Sequence, residues 1–250
     1  MRAYLTLARR ELAGYFASWT GYVIIAVVLL LLGLSFCDML DKLNVEATDA
    51  PLTEQFFVSV YFWIILLLTP PIITMRTFAL EKFAGTYETL MTSPVRDAEV
   101  VLAKFTGALL FFFLTWLPLL VHLLIVRRYS NDPAVLDVWN LLSTYLRILL
   151  VGAVFIALGC FASALSRSQI IAAMISYALG TGFFLLSMRS LVPQRLRGSM
   201  ATVFDYLSVT EQMENFARGL VDTRPIVLCT SLTALFIFLT LKAVESRRWR

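Results

Sequence analysis

Long apolar runs dominate the sequence, and short polar segments separate them. A membrane-spanning helix needs about 20 mostly apolar residues, because a helix pairs its own backbone amides where hydrocarbon cannot solvate them. Six runs meet this requirement, and they predict spans at 20–40, 56–75, 105–126, 141–165, 169–192 and 226–244. The pattern therefore predicts an all-α polytopic membrane protein with one transmembrane domain over residues 1–250.

The boundary between the fourth and fifth runs depends on Arg167, which lies between Ser166 and Ser168. A charged residue at the centre of a spanning helix costs about 3 kcal/mol. Arg167 therefore indicates a tight turn at the membrane surface. The number of spans is then even, which places both termini on the same side of the membrane.

Basic residues indicate which side is cytoplasmic. If the N-terminus is inside, the inner segments carry 12 of the 21 Lys and Arg residues, and an inner excess is what the positive-inside rule requires. The segment 41–55, with one Lys against four acidic residues, is then external. We expect both termini to be cytoplasmic.

The first 19 residues have an amphipathic pattern. Apolar residues recur at helical spacing from Tyr4 to Trp19, whereas Arg2, Arg9 and Arg10 fall between them. This pattern predicts a helix that lies in the membrane interface. No Ala-x-Ala site follows it, so we expect no cleavage of a signal peptide.

The polar segment 76–104 has the most regular pattern. Apolar residues recur at helical intervals over 80–91, and Gly85 and Thr86 interrupt them. Glycine tolerates a left-handed helix end and threonine can cap a new helix, so we predict two short helices that meet at an angle. Pro94 ends the second of them. A helix that merely lies on the membrane surface is the alternative.

A second patterned segment, 193–224, falls outside the membrane in this topology. Ser208 and Glu211 have capping-box spacing, and apolar residues follow at helical intervals until Gly219. We predict a short amphipathic helix that lies on the membrane or dips into it. A helix that only covers the bundle fits the pattern equally well.

The sequence offers little material for catalysis. It contains no GxxxxGK[ST] loop for nucleotide phosphates. Its one histidine, His122, is expected to be a packing residue, and Cys37, Cys160 and Cys229 have no metal-binding spacing. We therefore predict no catalytic residue, no metal site and no cofactor.

Ion-coupled transport also lacks candidates, because an ionisable group in hydrocarbon is retained mainly for function and the predicted spans contain almost no acidic residues. Asp38, Arg147 and Arg189 lie near the outer ends of predicted spans, where long side chains can reach the membrane surface. If the protein moves a substrate actively, the energy must come from another subunit.

The residues 76–95, RTFALEKFAGTYETLMTSPV, followed by EVVLAKF at 99–105, resemble the cytoplasmic loop of ABC-2-type permeases. The resemblance is strongest to the gliding-motility-associated and nitrous-oxide-reductase-maturation branches. LSRS at 165–168, FDYLS at 204–208 and FARGLVDTR at 216–224 agree with it. The resemblance covers essentially the whole chain.

This resemblance implies the permease subunit of an exporter-type ABC transporter, in which a short coupling helix docks each permease on a separate ATPase subunit. The segment 193–224 would form a pair of short re-entrant helices. ATP would be bound and hydrolysed by the partner, so the chain itself is not expected to be an enzyme. Carried onto this sequence, the ATPase-coupling residues are Glu81, Gly85, Thr86, Tyr87, Glu88, Leu90, Met91 and Pro94.

The expected partners are an ABC ATPase subunit, a second permease copy or a similar permease, membrane lipid and further cell-envelope subunits, but no nucleic acid. The expected location is a bacterial inner membrane. Small residues one turn apart, Gly159 with Ser163 and Ser176 with Gly180, would allow close packing between permeases or within one. The alternative function is a non-transporting module that uses ATPase strokes to act on an envelope partner. The sequence identifies neither substrate nor direction.

Overall fold

The computed structural model describes residues 2–45, 52–86, 96–130, 137–187 and 208–246. Within these ranges every regular element is a helix, which confirms the all-α prediction for the described residues. The helices are α1 (Arg2–Phe16), α2 (Trp19–Val45), α3 (Leu52–Val58), α4 (Val60–Thr74), α5 (Ala79–Ala84), α6 (Asp97–Ser130), α7 (Val138–Leu165), α8 (Gln169–Ser187), α9 (Val209–Ala217) and α10 (Thr223–Glu245).

Five helical stretches among the described residues are long and apolar enough to cross a membrane. They are Trp19–Lys42, Val60–Ala84, Asp97–Tyr129, Val138–Leu165 and Thr223–Glu245. The remaining predicted span, 169–192, falls on α8, whose apolar stretch Gln169–Leu185 is shorter. Residues 188–192 lie outside the described ranges. Six spans therefore stay a prediction.

The second predicted span, 56–75, begins later than the sequence suggested. Ser59 has an extended backbone, with φ −69° and ψ 133°, and separates α3 from α4. Apolar residues continue on both sides of Ser59, so the sequence pattern does not reveal the break. In the structure, Phe57 packs edge-on against Phe62 across it. The indole of Trp63 donates a hydrogen bond of 3.0 Å to the carbonyl of Phe57.

The helix α7 forms the centre of the bundle. In its most apolar stretch 83% of the residues are buried, whereas the corresponding shares are 28% in α2 and 11% in α10. Fully buried aromatic side chains, including Phe112 and Trp116 of α6, surround it. Gly152 is required there, because a Cβ atom would lie 2.1 Å from the ring of Phe112.

Small residues of α7 and α8 serve packing inside the chain. A Cβ atom on Gly159 would lie 2.0 Å from Thr74 Oγ1 and 3.0 Å from Ser176 Oγ. On α8, Gly180 lies against the ring of Phe155. Contacts within one chain therefore account for these residues, and they give no support to a particular dimer interface.

Polar segments gather at two ends of the bundle. The basal end contains α1, α5 and the start of α6, which ion pairs join. The distal end contains α3, α9 and the starts of α7 and α10, which hydrogen bonds join. The described residues 76–86 and 96–104 thus lie at the opposite end of the bundle from 208–224, which is compatible with the predicted topology.

Candidate functional site

The short helix α5 begins the segment that the sequence assigns to ATPase coupling. It ends at Gly85, whose φ of 74° is left-handed, at the position where the sequence predicted a helix end. Gly85 and Thr86 are both exposed. The other residues of the predicted coupling helix lie outside the described residues; they are Tyr87, Glu88, Leu90, Met91 and Pro94.

Lys104 of α6 is a buried cation that joins three helices. Its ammonium lies 2.7 Å from Glu81 Oε1 of α5 and 3.1 Å from Glu11 Oε1 of α1. The Lys104 side chain is only 3% exposed. Two carboxylates offset the cost of removing this charge from water, which an isolated ammonium could not recover. The cluster of Glu11, Glu81 and Lys104, here called the basal ion cluster, ties α5 to α1 and α6.

Ser163 of α7 supplies the N-terminal cap that α5 lacks. Phe78, the residue before α5, has no side chain that can cap the helix. The hydroxyl oxygen of Ser163 instead accepts hydrogen bonds of 3.1 Å from the amides of Phe78 and Ala79. Lys82 donates to the carbonyl of Ala164. Amides at a helix start have no partner within the helix, so these contacts fix α5 to the most buried helix.

Arg76 and Tyr15 attach the turn between α1 and α2 to the same region. Arg76 Nη1 donates to the hydroxyls of Ser18, at 2.8 Å, and Thr20. The Tyr15 hydroxyl donates to the carbonyl of Ile73 at 3.2 Å. Burial raises the pKa of the Tyr15 phenol above its usual range.

These contacts define what the basal end can do mechanically. The segment that leads to the predicted coupling helix is held by charged or capping contacts to α1, α6 and α7. A displacement applied beyond Gly85 can therefore reach three helices through direct contacts. Networks with such contacts can carry energetic coupling between sites.

Arg147 of α7 is the corresponding buried cation at the distal end. Its side chain is fully buried beneath α9 and donates to Gln212 and, at 3.4 Å, to Cys229 Sγ. The guanidinium carbon lies 5.6 Å from the ring centroid of Phe216. The expectation that Arg147 reaches the membrane surface is thus wrong, because α9 covers it.

Hydrogen bonds satisfy both ends of α9, from its own N-cap residue at the start and from neighbouring helices at the end. Ser208 Oγ accepts a 3.4 Å hydrogen bond from the Glu211 amide, as its capping-box spacing predicts. At the other end, Ser143 and Thr53 donate to the carbonyls of Phe216 and Ala217 at 2.6 and 2.8 Å. In the described part of 193–224, α9 covers the bundle. Residues 193–207 lie outside the described ranges, and the re-entrant pair stays a prediction.

Other candidate groups serve packing. His122 stacks on Phe36, with ring centroids 4.7 Å apart, which agrees with the expected packing role. Cys160 and Cys229 are buried and Cys37 is exposed, and all three are free thiols.

Sequence reasoning missed the partners within both buried clusters. Glu81 was singled out, but its partners Glu11 and Lys104 were not identified. In the sequence, Lys104 lies 23 positions from Glu81 and 93 positions from Glu11. The only available signal was that a lysine and a glutamate interrupt otherwise apolar helix faces. Ser163 gave no signal beyond its small size.

Residues 39–241 match the sequence family described as ABC-2 family transporter protein. The matched range contains Glu81, Lys104, Arg147 and α9. Helix α1 precedes it, so Glu11 ties a segment outside the match to residues inside it. No curated protein matches the sequence.

Proposed function

The chain belongs to the ABC-2 family of transporter proteins, and on that premise we propose that it is the membrane subunit through which a separate ATPase drives export. Membership of the family supports the permease subunit of an ABC transporter. The export direction and the separate ATPase are parts of the proposal. The observation that carries it is the basal ion cluster, which fastens the start of the coupling segment to α1 and α6.

In this mechanism the ATPase pushes on a coupling helix at about 86–92. Tyr87, Leu90 and Met91 fill an apolar cleft of the ATPase, and Glu88 meets polar groups at the rim. Pro94 ends the helix, while Gly85 sets its angle to α5. The push then passes through Glu81 and its neighbours into the bundle.

The chain itself contributes no nucleotide chemistry in this proposal. Its sequence contains no GxxxxGK[ST] loop, so ATP binds and is hydrolysed on the partner. The permease therefore needs no cofactor of its own. Its role is to convert ATPase movement into rearrangement of spanning helices.

The membrane arrangement in the proposal has six spans, with both termini and the basal end in the cytoplasm of a bacterial cell. The 19 residues of α8 extend about 28 Å, close to the hydrocarbon thickness of about 30 Å. The Lys and Arg excess on the proposed inner side supports the orientation. A second permease, identical or similar, completes the pathway.

Capture of the ATPase tests this function. Tagged permease is purified from native membranes in mild detergent, and the bound proteins are sequenced. We expect a soluble subunit with a GxxxxGK[ST] motif in stoichiometric amount. Purification of an intact complex with no ATPase would contradict the proposal.

Transport itself requires a second measurement. Reconstituted vesicles that contain the complex should accumulate or release a substrate only when ATP is supplied. A module that performs mechanical work on an envelope partner would hydrolyse ATP without moving a solute. The basal ion cluster fits both transport and mechanical work, so ATPase binding alone does not separate these two functions.

A further inference from the structure

A cavity of about 310 Å³ lies where α1 turns into α2, facing the start of the coupling segment. Apolar side chains, among them Ile24 and Ile72, form one part of its wall, and charged side chains, among them Arg10 and Arg76, form another. Arg10, Gly14 and Ile72 are exposed, so the cavity can be reached from outside the bundle. An occupant must therefore match an apolar and a charged surface together.

The carboxylates in the cavity wall already have cationic partners. Glu81 Oε1 and Glu11 Oε1 lie 2.7 and 3.1 Å from the ammonium of Lys104. Glu11 Oε1 also lies 3.5 Å from Arg10 Nη2. The second oxygen of Glu81 is buried, which places it out of reach of an occupant. A positively charged group in the cavity would thus compete with Lys104 for the same carboxylates.

Arg76 is a cation of the wall that has no carboxylate partner among the described residues. Its Nη1 donates only to the neutral hydroxyls of Ser18 and Thr20. Nε and Nη2 make no hydrogen bond to another described residue and are not buried, so both can donate to an occupant. Arg218 uses this same pair of nitrogens to bind both oxygens of Glu54. A guanidinium fork of this kind suits two oxygens of a carboxylate or a phosphate.

The charged groups at the cavity carry one positive charge in excess. The lining and Lys104 together supply three cations, Arg10, Arg76 and Lys104, against the two carboxylates of Glu11 and Glu81. A part-buried cation without a counter-charge is unfavourable. One negative charge on the occupant balances the excess. An additional ammonium on the occupant would restore it.

The depth of the cavity indicates that the anion belongs to a lipid. Thr20, Gly21 and Ile24 of its lining lie in the first two turns of the candidate span Trp19–Lys42. Trp19 is 88% exposed, and exposed tryptophans favour the headgroup level of a membrane. The charged wall then lies at the depth of the lipid phosphates, and Ile24 and Ile72 lie near the first acyl carbons.

We propose that this cavity binds an anionic phospholipid, with the phosphodiester at Arg76 and Arg10 and the start of an acyl chain at Ile24 and Ile72. The Arg76 fork holds two phosphate oxygens, while Nη1 stays on Ser18 and Thr20. A zwitterionic headgroup binds less well, because its ammonium finds both carboxylates engaged. The site is independent of the proposed export function, since it depends only on the wall of the cavity.

Lipid retention by the full-length chain tests the site. The chain is exchanged into vesicles with equal amounts of phosphatidylglycerol, phosphatidylethanolamine and phosphatidylcholine and extracted at high ionic strength, which weakens attraction to exposed charges. Native mass spectrometry then identifies the retained lipid. We expect about tenfold preferential retention of phosphatidylglycerol, equivalent to about 1.4 kcal/mol. Equal retention of the three lipids, or a preference for either zwitterionic lipid, would overturn the proposal.

Two neighbouring arginines separate this site from general attraction to a basic surface. Arg10 lines the cavity, whereas Arg9 is exposed on the same helix but does not line it. We expect Arg10→Gln to remove most of the preference for phosphatidylglycerol and Arg9→Gln to keep it. If both variants lose the preference equally, or if neither loses it, the assignment to the cavity is wrong.

A cavity-filling variant tests the same assignment without changing any charge. Gly14 lines the cavity, and a Cβ atom there would meet nothing within 4 Å, so Gly14→Phe can fill the space without a backbone clash. Gly33 of α2 is equally open but outside the lining, which makes Gly33→Phe the matched control. We expect Gly14→Phe to abolish the preference and Gly33→Phe to keep it. A preference that survives Gly14→Phe would overturn the assignment.

A soluble competitor distinguishes a lipid from a free anion. Inorganic phosphate offers oxygens to the same guanidinium fork but has no acyl chain. At the concentration of the lipid it should leave the bound phosphatidylglycerol in place, because it lacks contacts to Ile24 and Ile72. Full displacement at that concentration would identify a site for free phosphate, and it would overturn the lipid assignment.

Discussion

Among the described residues, each end of the bundle buries one cation, and the partners of the two cations differ. At the basal end, Lys104 faces the carboxylates of Glu11 and Glu81. At the distal end, Arg147 is held by the neutral groups of Gln212 and Cys229 and by the ring of Phe216. The basal cation therefore has carboxylate partners, whereas the distal cation has none among the described residues.

This difference distinguishes the basal ion cluster, which connects three helices, from α9, which packs over Arg147. Removing one member of a buried ion pair leaves an uncompensated charge, which is strongly destabilising. Removing a cation from neutral partners leaves only unsatisfied dipoles, which cost less. The basal end should thus resist separation of its helices, while α9 at the distal end should be released more easily.

The largest effect is expected from Lys104→Met. This change leaves Glu81 partly buried without its cation and Glu11 with only Arg10, at 3.5 Å, and it should cost about 3–5 kcal/mol of stability. Denaturant unfolding of the purified chain in detergent measures the loss. Adding Glu81→Gln removes one of the abandoned charges, so the double variant should recover part of it. If the double variant is no more stable than Lys104→Met, the proposed interaction between Lys104 and Glu81 is wrong.

Arg147→Met should have a smaller effect, because it leaves no abandoned carboxylate among the described residues. We expect a loss of about 1–3 kcal/mol, from groups that no longer have their hydrogen-bond donor. The same unfolding measurement applies, and protease sensitivity near α9 reports whether α9 detaches locally from the bundle. Stability losses equal to those of Lys104→Met would remove the distinction between the two ends.

Ser163→Ala tests the attachment of α5 to α7. The change removes the acceptor for two amides at the start of α5 and should cost about 1 kcal/mol, the usual value of a helix N-cap. Ser231→Ala on exposed α10 is the matched control, since Ser231 bonds only within its own helix turn. Hydrogen exchange of the Phe78 and Ala79 amides measures the difference. Unchanged protection of both amides in Ser163→Ala would contradict the cap.

Effects of a size similar to that of Ser163→Ala are expected from the two left-handed glycines. Gly85→Ala meets open space and carries only the backbone penalty of about 1 kcal/mol. Gly219→Ala has a similar φ but places a Cβ atom 2.3 Å from Asn140 Oδ1, so it should be the more destabilising. Melting temperatures of the two variants give the order. A reversed order would show that the distal packing around Gly219 is looser than described.

Much of the fold follows from the sequence because apolar length is a direct physical requirement of a spanning helix. The same criterion could not detect the break at Ser59, where apolar residues continue through an extended backbone. Local signals did locate helix ends, since Gly85 and Gly219 occupy backbone conformations that favour glycine.

The candidate site was less accessible to sequence reasoning. Glu81 could be placed in the coupling segment from its motif, but its cation comes from another helix. The depth of Arg147 depends on α9, which lies 60 or more residues further along the chain and covers it. Partnerships between distant segments require the fold, because no local pattern encodes them.

The most direct test of the account measures how much ATPase copurifies with tagged permease when each end is altered. Truncating a buried interface anchor typically costs about 1–4 kcal/mol, so Tyr87→Ala with Leu90→Ala should release the ATPase while the permease stays inserted. Arg147→Met, at the opposite end, should leave the bound amount unchanged. Full ATPase binding by the Tyr87 and Leu90 double variant, at normal membrane levels, would contradict the assignment of 81–94 as the ATPase-coupling segment.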